Sequence, residues 1–177
     1  MRLEIRNCTV NIDAEATREY YRNHPEPYDC GCDICRAYIK HAPDFPEEVR
    51  EFFASCGIDD MLSVVEVSSY GEEADPIPID GWFYAVGSIR GGEPSKVWYP
   101  PAYRRRKAFA KRFNKKLYDE LCKLERIAEL ERMSGEYKVC GDFSVRFSNH
   151  LDLVPESFPE NRVQIRFETC IPKLKEE

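Results

Sequence analysis

What most constrains the fold of this chain is the grouping of its segments of two-residue period. Arg162–Ile171 places Val163, Ile165 and Phe167 on one face, and Asp142–Ser148 alternates Phe143, Val145 and Phe147 with Ser144 and Arg146. Successive side chains point to opposite faces of a strand, so such segments bury one face and leave the other in water. Leu62–Tyr70, Gly81–Arg90 and Ser95–Tyr99 are rich in Val, Trp, Tyr and Phe, and Gly91-Gly92 reads as a hairpin turn between the last two. Arg2–Ile12 alternates more loosely. These strands follow one another instead of alternating with helices. They predict an α+β fold, a mostly antiparallel sheet of about six strands with helices packed on one face. No glycine-rich phosphate cradle follows a strand, so a doubly wound nucleotide fold is not expected.

The helical segments have clear ends. Asp13 can cap a helix over Ala14–Asn23 that carries Tyr20 and Tyr21. Pro46-Glu47-Glu48 starts another, in which Val49, Phe52, Phe53 and Cys56 fall on one stripe and Gly57 closes the end. Pro100-Pro101 opens a long amphipathic pattern, one partly basic helix over 100–135 that reads as an insertion in a single α+β domain of residues 1–177. The acidic stretch Glu72–Asp80, with Pro76 and Pro78, reads as an exposed loop.

Three cysteines, Cys30, Cys32 and Cys35, lie within six residues, followed by Arg36. Gly31 between the first two can take positive φ, which lets the chain curl until the thiols converge. Zinc and iron–sulfur clusters both need such convergence, and Cys32-x-x-Cys35 has knuckle spacing. A zinc site calls for a fourth ligand: His24, His41, a distant cysteine (Cys8, Cys56 or Cys140) or water. Redox use of the same thiols is the competing reading, aided by Arg36 and opposed by Asp33. His150 beside Asp152 lacks an accompanying nucleophile motif and reads as polar surface.

Charge is segregated. Ala102–Lys116 holds eight basic residues and no acid, leaving 18 basic against 32 acidic residues elsewhere, a net charge of −14. Arg104, Arg105, Arg106, Lys107, Lys111 and Arg112, interleaved with Tyr103, Phe109 and Phe113, are candidates for nucleic-acid phosphate or for an acidic partner. Asp59–Asp80 carries seven acids and no Lys or Arg. The simpler expectation is that the two stretches meet, within the fold or by self-association, and the pI near 5.3 disfavours nucleic acid. No apolar run has signal-peptide or membrane-helix length. The chain therefore reads as cytoplasmic, with reduced thiols and no membrane partner.

Glu19-Tyr20-Tyr21, Cys30-x-Cys32-x-x-Cys35-Arg36-x-Tyr38, Cys56-Gly57-Ile58-Asp59 and the closing Cys170-Ile171-Pro172 resemble a group of small uncharacterised bacterial proteins. That resemblance implies no function, and the basic helix lies outside its pattern. Cys30, Cys32, Cys35 and Arg36 also resemble the Cys-x-Cys-x-x-Cys-Arg element of the glutathione-dependent formaldehyde-activating enzymes, which implies zinc. That family's other two cysteine elements have no counterpart here, so neither its fold nor its thiol-adduct chemistry is implied. The expectation is a binding or interaction protein with a structural zinc that ties the Tyr20–Tyr21 helix to the Pro46–Cys56 helix. The alternatives are zinc- or thiol-dependent small-molecule chemistry and nucleic-acid contact through the basic helix.

Overall fold

The computed structural model describes residues 1–25, 30–71, 74–94, 101–130, 132–150 and 153–174; the side chains at 93–94, 101–105, 123–130 and 132 fall outside that description. The strands are β1 (Arg2–Ile5), β2 (Cys8–Ile12), β3 (Glu66–Ser69), β4 (Ile77–Gly91), β5 (Glu93–Pro94), β6 (Arg132–Met133), β7 (Tyr137–Cys140), β8 (Phe143–Ser148) and β9 (Arg162–Ile171). The helices are α1 (Ala14–Asn23), α2 (Asp33–His41), α3 (Glu47–Ser55), α4 (Pro101–Phe113) and α5 (Lys115–Leu130).

The strands run in the order β1-β2-β4-β9-β8-β6-β5, with β3 added on β4 and β7 on β8. Every pairing among the described residues is antiparallel. Only Gly92 separates β4 from β5, yet β5 pairs with β6 at the far end of the order, so the sheet nearly closes on itself. Gly91 and Gly92 have φ of +75° and +80°. A Cβ on Gly91 would lie 2.1 Å from the Asn7 carbonyl oxygen, and one on Gly92 2.7 Å from that of Met133. They turn the chain from β4, which pairs with β2 and β9, into β5, which pairs with β6. The expected strand Ser95–Tyr99 lies outside the described residues.

β4 begins earlier than its periodicity suggested. Ile77–Asp80, read as part of an exposed acidic loop, pairs with β9 through Ile77↔Ile171 and Asp80↔Glu168, and Ile77, Ile79 and Asp80 are buried. Asp80 is tolerated there because Arg166 pairs with it and the Ser68 hydroxyl donates to it at 2.6 Å.

Alternate residues of β4 feed two apolar clusters. Phe83 and Ala85 join the main core with Tyr38, Val49, Phe53, Phe143, Ile165 and Phe167, which α2 and α3 cover. Tyr84 and Val86 pack with Phe158, against Ala16 and Tyr20 of α1. The helices are therefore not confined to one face. α3 ends as its glycine predicts: Gly57 has φ +87°, and the Gly57 and Ile58 amides donate to the Ala54 and Phe53 carbonyls, both at 2.9 Å. Gly57 also lets α1 approach, since a Cβ there would lie 2.1 Å from the Ala14 carbonyl oxygen.

One long helix over 100–135 is not found. α4 stops at Asn114, whose Oδ1 accepts from the Leu117 amide at 3.0 Å and so caps α5 as a new helix. Asn competes for backbone hydrogen bonds and favours caps, a local effect that outweighed the apolar stripe running through it.

Thr17 joins α1 to the sheet. Its hydroxyl donates to the Asp13 carbonyl at 2.7 Å and accepts from the buried Val86 amide at 2.9 Å. Thr17→Val keeps the volume but orphans that amide, so a loss of roughly 1–3 kcal/mol is expected in chemical denaturation. An unchanged midpoint would remove the bond from the account of how α1 is held.

Burial pushes the Cys56 thiol up to about 12 from its ordinary value near 9. Below pH 9 the thiol is protonated in both folded and unfolded chains. Above it the unfolded chain ionises first and binds fewer protons, so this group's stabilising contribution declines as pH rises toward the folded value. The expected loss is about 2 kcal/mol between about pH 9 and 10.5. Cys56→Ala should flatten that slope; parallel pH profiles for the two proteins would contradict the assignment.

Candidate metal centre

The three cysteines converge through local geometry alone. Cys32 caps α2, its Sγ accepting the Cys35 amide at 3.4 Å, and the chain before it turns at Gly31, with φ +74°. That turn brings the Cys30 Sγ to 3.0 Å from the Cys35 Sγ. All three sulfurs lie within 4.8 Å of one another. Cys35 is buried, Cys30 and Cys32 are exposed, and none of the three is in a disulfide. Arg36 braces the turn by donating to the Gly31 carbonyl at 3.0 Å and by pairing with Asp33.

These donors fit a thiophilic metal. Zn–S bonds of about 2.3 Å in a tetrahedron put sulfurs roughly 3.8 Å apart, a spacing reached here by small thiol rotations. A cubane or two-iron cluster held by four cysteines needs one more than converge here.

Neither candidate histidine is among the converging donors. His24 stacks on the Tyr20 ring with centroids 4.2 Å apart, and its Nδ1 lies 2.9 Å from the Tyr20 carbonyl oxygen. His41 lies six residues beyond Cys35 on the same helix, about 9 Å along its axis. Its Nε2 is buried without a hydrogen-bond partner among the described residues. Cys8 and Cys56 are buried in the main core, and Cys140 packs against it. Among the described residues no fourth protein donor joins the three thiols.

The basic segment is reached only in part. Arg104 and Arg105 lie on α4, but their side chains are outside the described ones. Arg106, Lys111 and Arg112 are exposed, and Lys107 places its Nζ 5.8 Å from the centroid of the Tyr118 ring. Among the described residues no ion pair joins this segment to Asp59–Asp80. Asp59 pairs with Arg18 at 2.8 Å, Asp60 accepts the Leu62 amide, and Asp80 pairs with Arg166. The His150 carbonyl accepts from the Tyr84 hydroxyl at 3.4 Å, a packing contact, while Asp152 lies outside the described residues.

A cleft of about 640 Å³ was not foreseen. Its walls include Tyr20, His24, Glu66, Leu153 and Phe158. These come from three distant stretches of chain, and only the aromatic pair Tyr20–Tyr21 hinted at it.

No helix among the described residues is long and apolar enough to cross a membrane. No protein-family model matches the chain, no curated protein is significantly similar to it, and no solved structure is either. The two resemblances therefore rest on the quoted residues alone.

Proposed function

We propose that this chain binds one thiophilic metal ion, zinc in the first instance, through Cys30, Cys32 and Cys35, and acts as a metal-dependent binding or interaction protein. The convergence of three thiols at the N-terminus of α2 carries this reading. Bound there, zinc would fix the turn before α2 and supply a Lewis-acidic centre with an exchangeable fourth ligand. Zinc sites that serve only structure usually close with four protein ligands. The exposure of Cys30 and Cys32, and the lack of a fourth protein donor among the described residues, favour a second reading, zinc- or thiol-dependent small-molecule chemistry at the same residues.

Elemental analysis of anaerobically purified protein, with its absorption spectrum, tests the first reading. About one zinc per chain and a colourless solution are expected. Brown protein containing iron would replace zinc with a cluster, and protein that neither carries zinc nor takes it up on titration would end the metal reading.

A further inference from the structure

α4 carries two exposed aromatic rings among its described side chains. Ala110 of α4 and Leu121 of α5 are buried, and the two helices pack on each other. Phe109 and Phe113, one turn apart, remain 61% and 64% exposed. Their rings pack on each other with centroids 4.9 Å apart, and the Arg112 guanidinium lies 5.2 Å from the Phe113 centroid. Arg106, Lys111, Lys115 and Lys116 are exposed around them. Two adjacent apolar rings in a field of cations, with no acid from Ala102 to Lys116, are costly to leave in water. Asp119 and Glu120, one turn beyond Lys115 and Lys116, offset only two of the eight cations, and Asp59 and Asp80 are already paired with Arg18 and Arg166.

We propose that α4 docks on an anionic phospholipid surface, with Phe109 and Phe113 entering the headgroup–acyl boundary while Arg106, Lys111, Arg112, Lys115 and Lys116 meet the lipid phosphates. A helix lying on a membrane needs no spanning segment, so the missing apolar helix does not bear on it. Charge complementarity alone would serve nucleic acid equally. The rings decide between them. A base stacks on an open aromatic face, whereas Phe109 and Phe113 face each other and Arg112 lies against Phe113, narrowing what is offered to a base. Transfer into hydrocarbon requires no particular face. A convex helical ridge also meets a plane more readily than it forms a groove around a strand.

The test is co-sedimentation of the full chain with phosphatidylcholine vesicles, with and without phosphatidylglycerol, alongside fluorescence anisotropy with a single-stranded oligodeoxynucleotide. Wild type should sediment with the anionic vesicles only, less so as salt is raised. Lys111→Gln with Arg112→Gln should weaken partitioning roughly 25-fold, from about fivefold per charge. Phe109→Ser with Phe113→Ser should weaken it at least about tenfold. Because both rings are exposed, the melting temperature of the phenylalanine variant should stay at the wild-type value, which separates lost docking from lost folding. Absent vesicle binding, equal binding to neutral vesicles, or binding indifferent to the phenylalanines would overturn the proposal. Phenylalanine-dependent oligonucleotide binding tighter than vesicle binding would overturn it in favour of nucleic acid.

Discussion

Cys35→Ser should cut zinc affinity by about a hundredfold or more while leaving the metal-free protein folded. Structural zinc sites in small peptides release roughly 10–16 kcal/mol, or about 3 kcal/mol for each of four ligands. Cys35 is the buried member of the trio, 1% exposed, and its Sγ is 3.0 Å from that of Cys30. Serine keeps the size but replaces a soft, readily ionised donor with a hard hydroxyl that stays protonated at neutral pH. Competition against a chromophoric chelator gives the number. Cys170→Ser, at an exposed thiol outside the cluster, should bind like wild type. If Cys35→Ser held zinc as tightly as wild type, this cluster would not be the metal site. Acidification should weaken binding for the same reason, because the ligands must give up their protons to bind.

Phe53→Ala should destabilise the fold by about 3–5 kcal/mol and lower the melting temperature by roughly ten degrees. Phe53 is fully buried where α3 meets the sheet. Its ring centroid lies 5.0 Å from that of Phe83, 6.0 Å from Phe143 and 6.4 Å from Phe167, so one truncation opens a cavity bounded by three strands. Phe109→Ala removes the same atoms from a ring 61% exposed and should shift stability by less than about 0.5 kcal/mol. Calorimetry of the two variants gives the contrast directly. Similar melting temperatures would mean that α3 does not organise the core.

The elements that could be read from the sequence are those whose cause is local. Val163, Ile165 and Phe167 alternate because a strand alternates, and all three are buried. Gly57 ends α3 because the terminating turn needs a positive φ. Cys30, Cys32 and Cys35 converge because a glycine and a helix cap lie between them, so the candidate site was legible without the fold.

Contacts between distant residues were not legible. Asp80 reads as a loop acid, yet it is buried in β4 because Arg166, 86 residues later, is brought against it. His24 and His41 flank the cysteines in sequence, but α1 turns one onto Tyr20 and helical rise carries the other away. β5 follows β4 directly, yet its partner is β6, far later in the chain, and that choice nearly closes the sheet.

The sequence by itself determined the α+β class, the α3 helix and the grouping of three thiols, since backbone periodicity and capping act over a few residues. Only the tertiary structure decided that His24 and His41 lie outside the cysteine cluster, where the cleft lies, and that α4 presents Phe109 and Phe113 to solvent. Those outcomes depend on which surfaces are buried together, and burial is a property of the assembled fold.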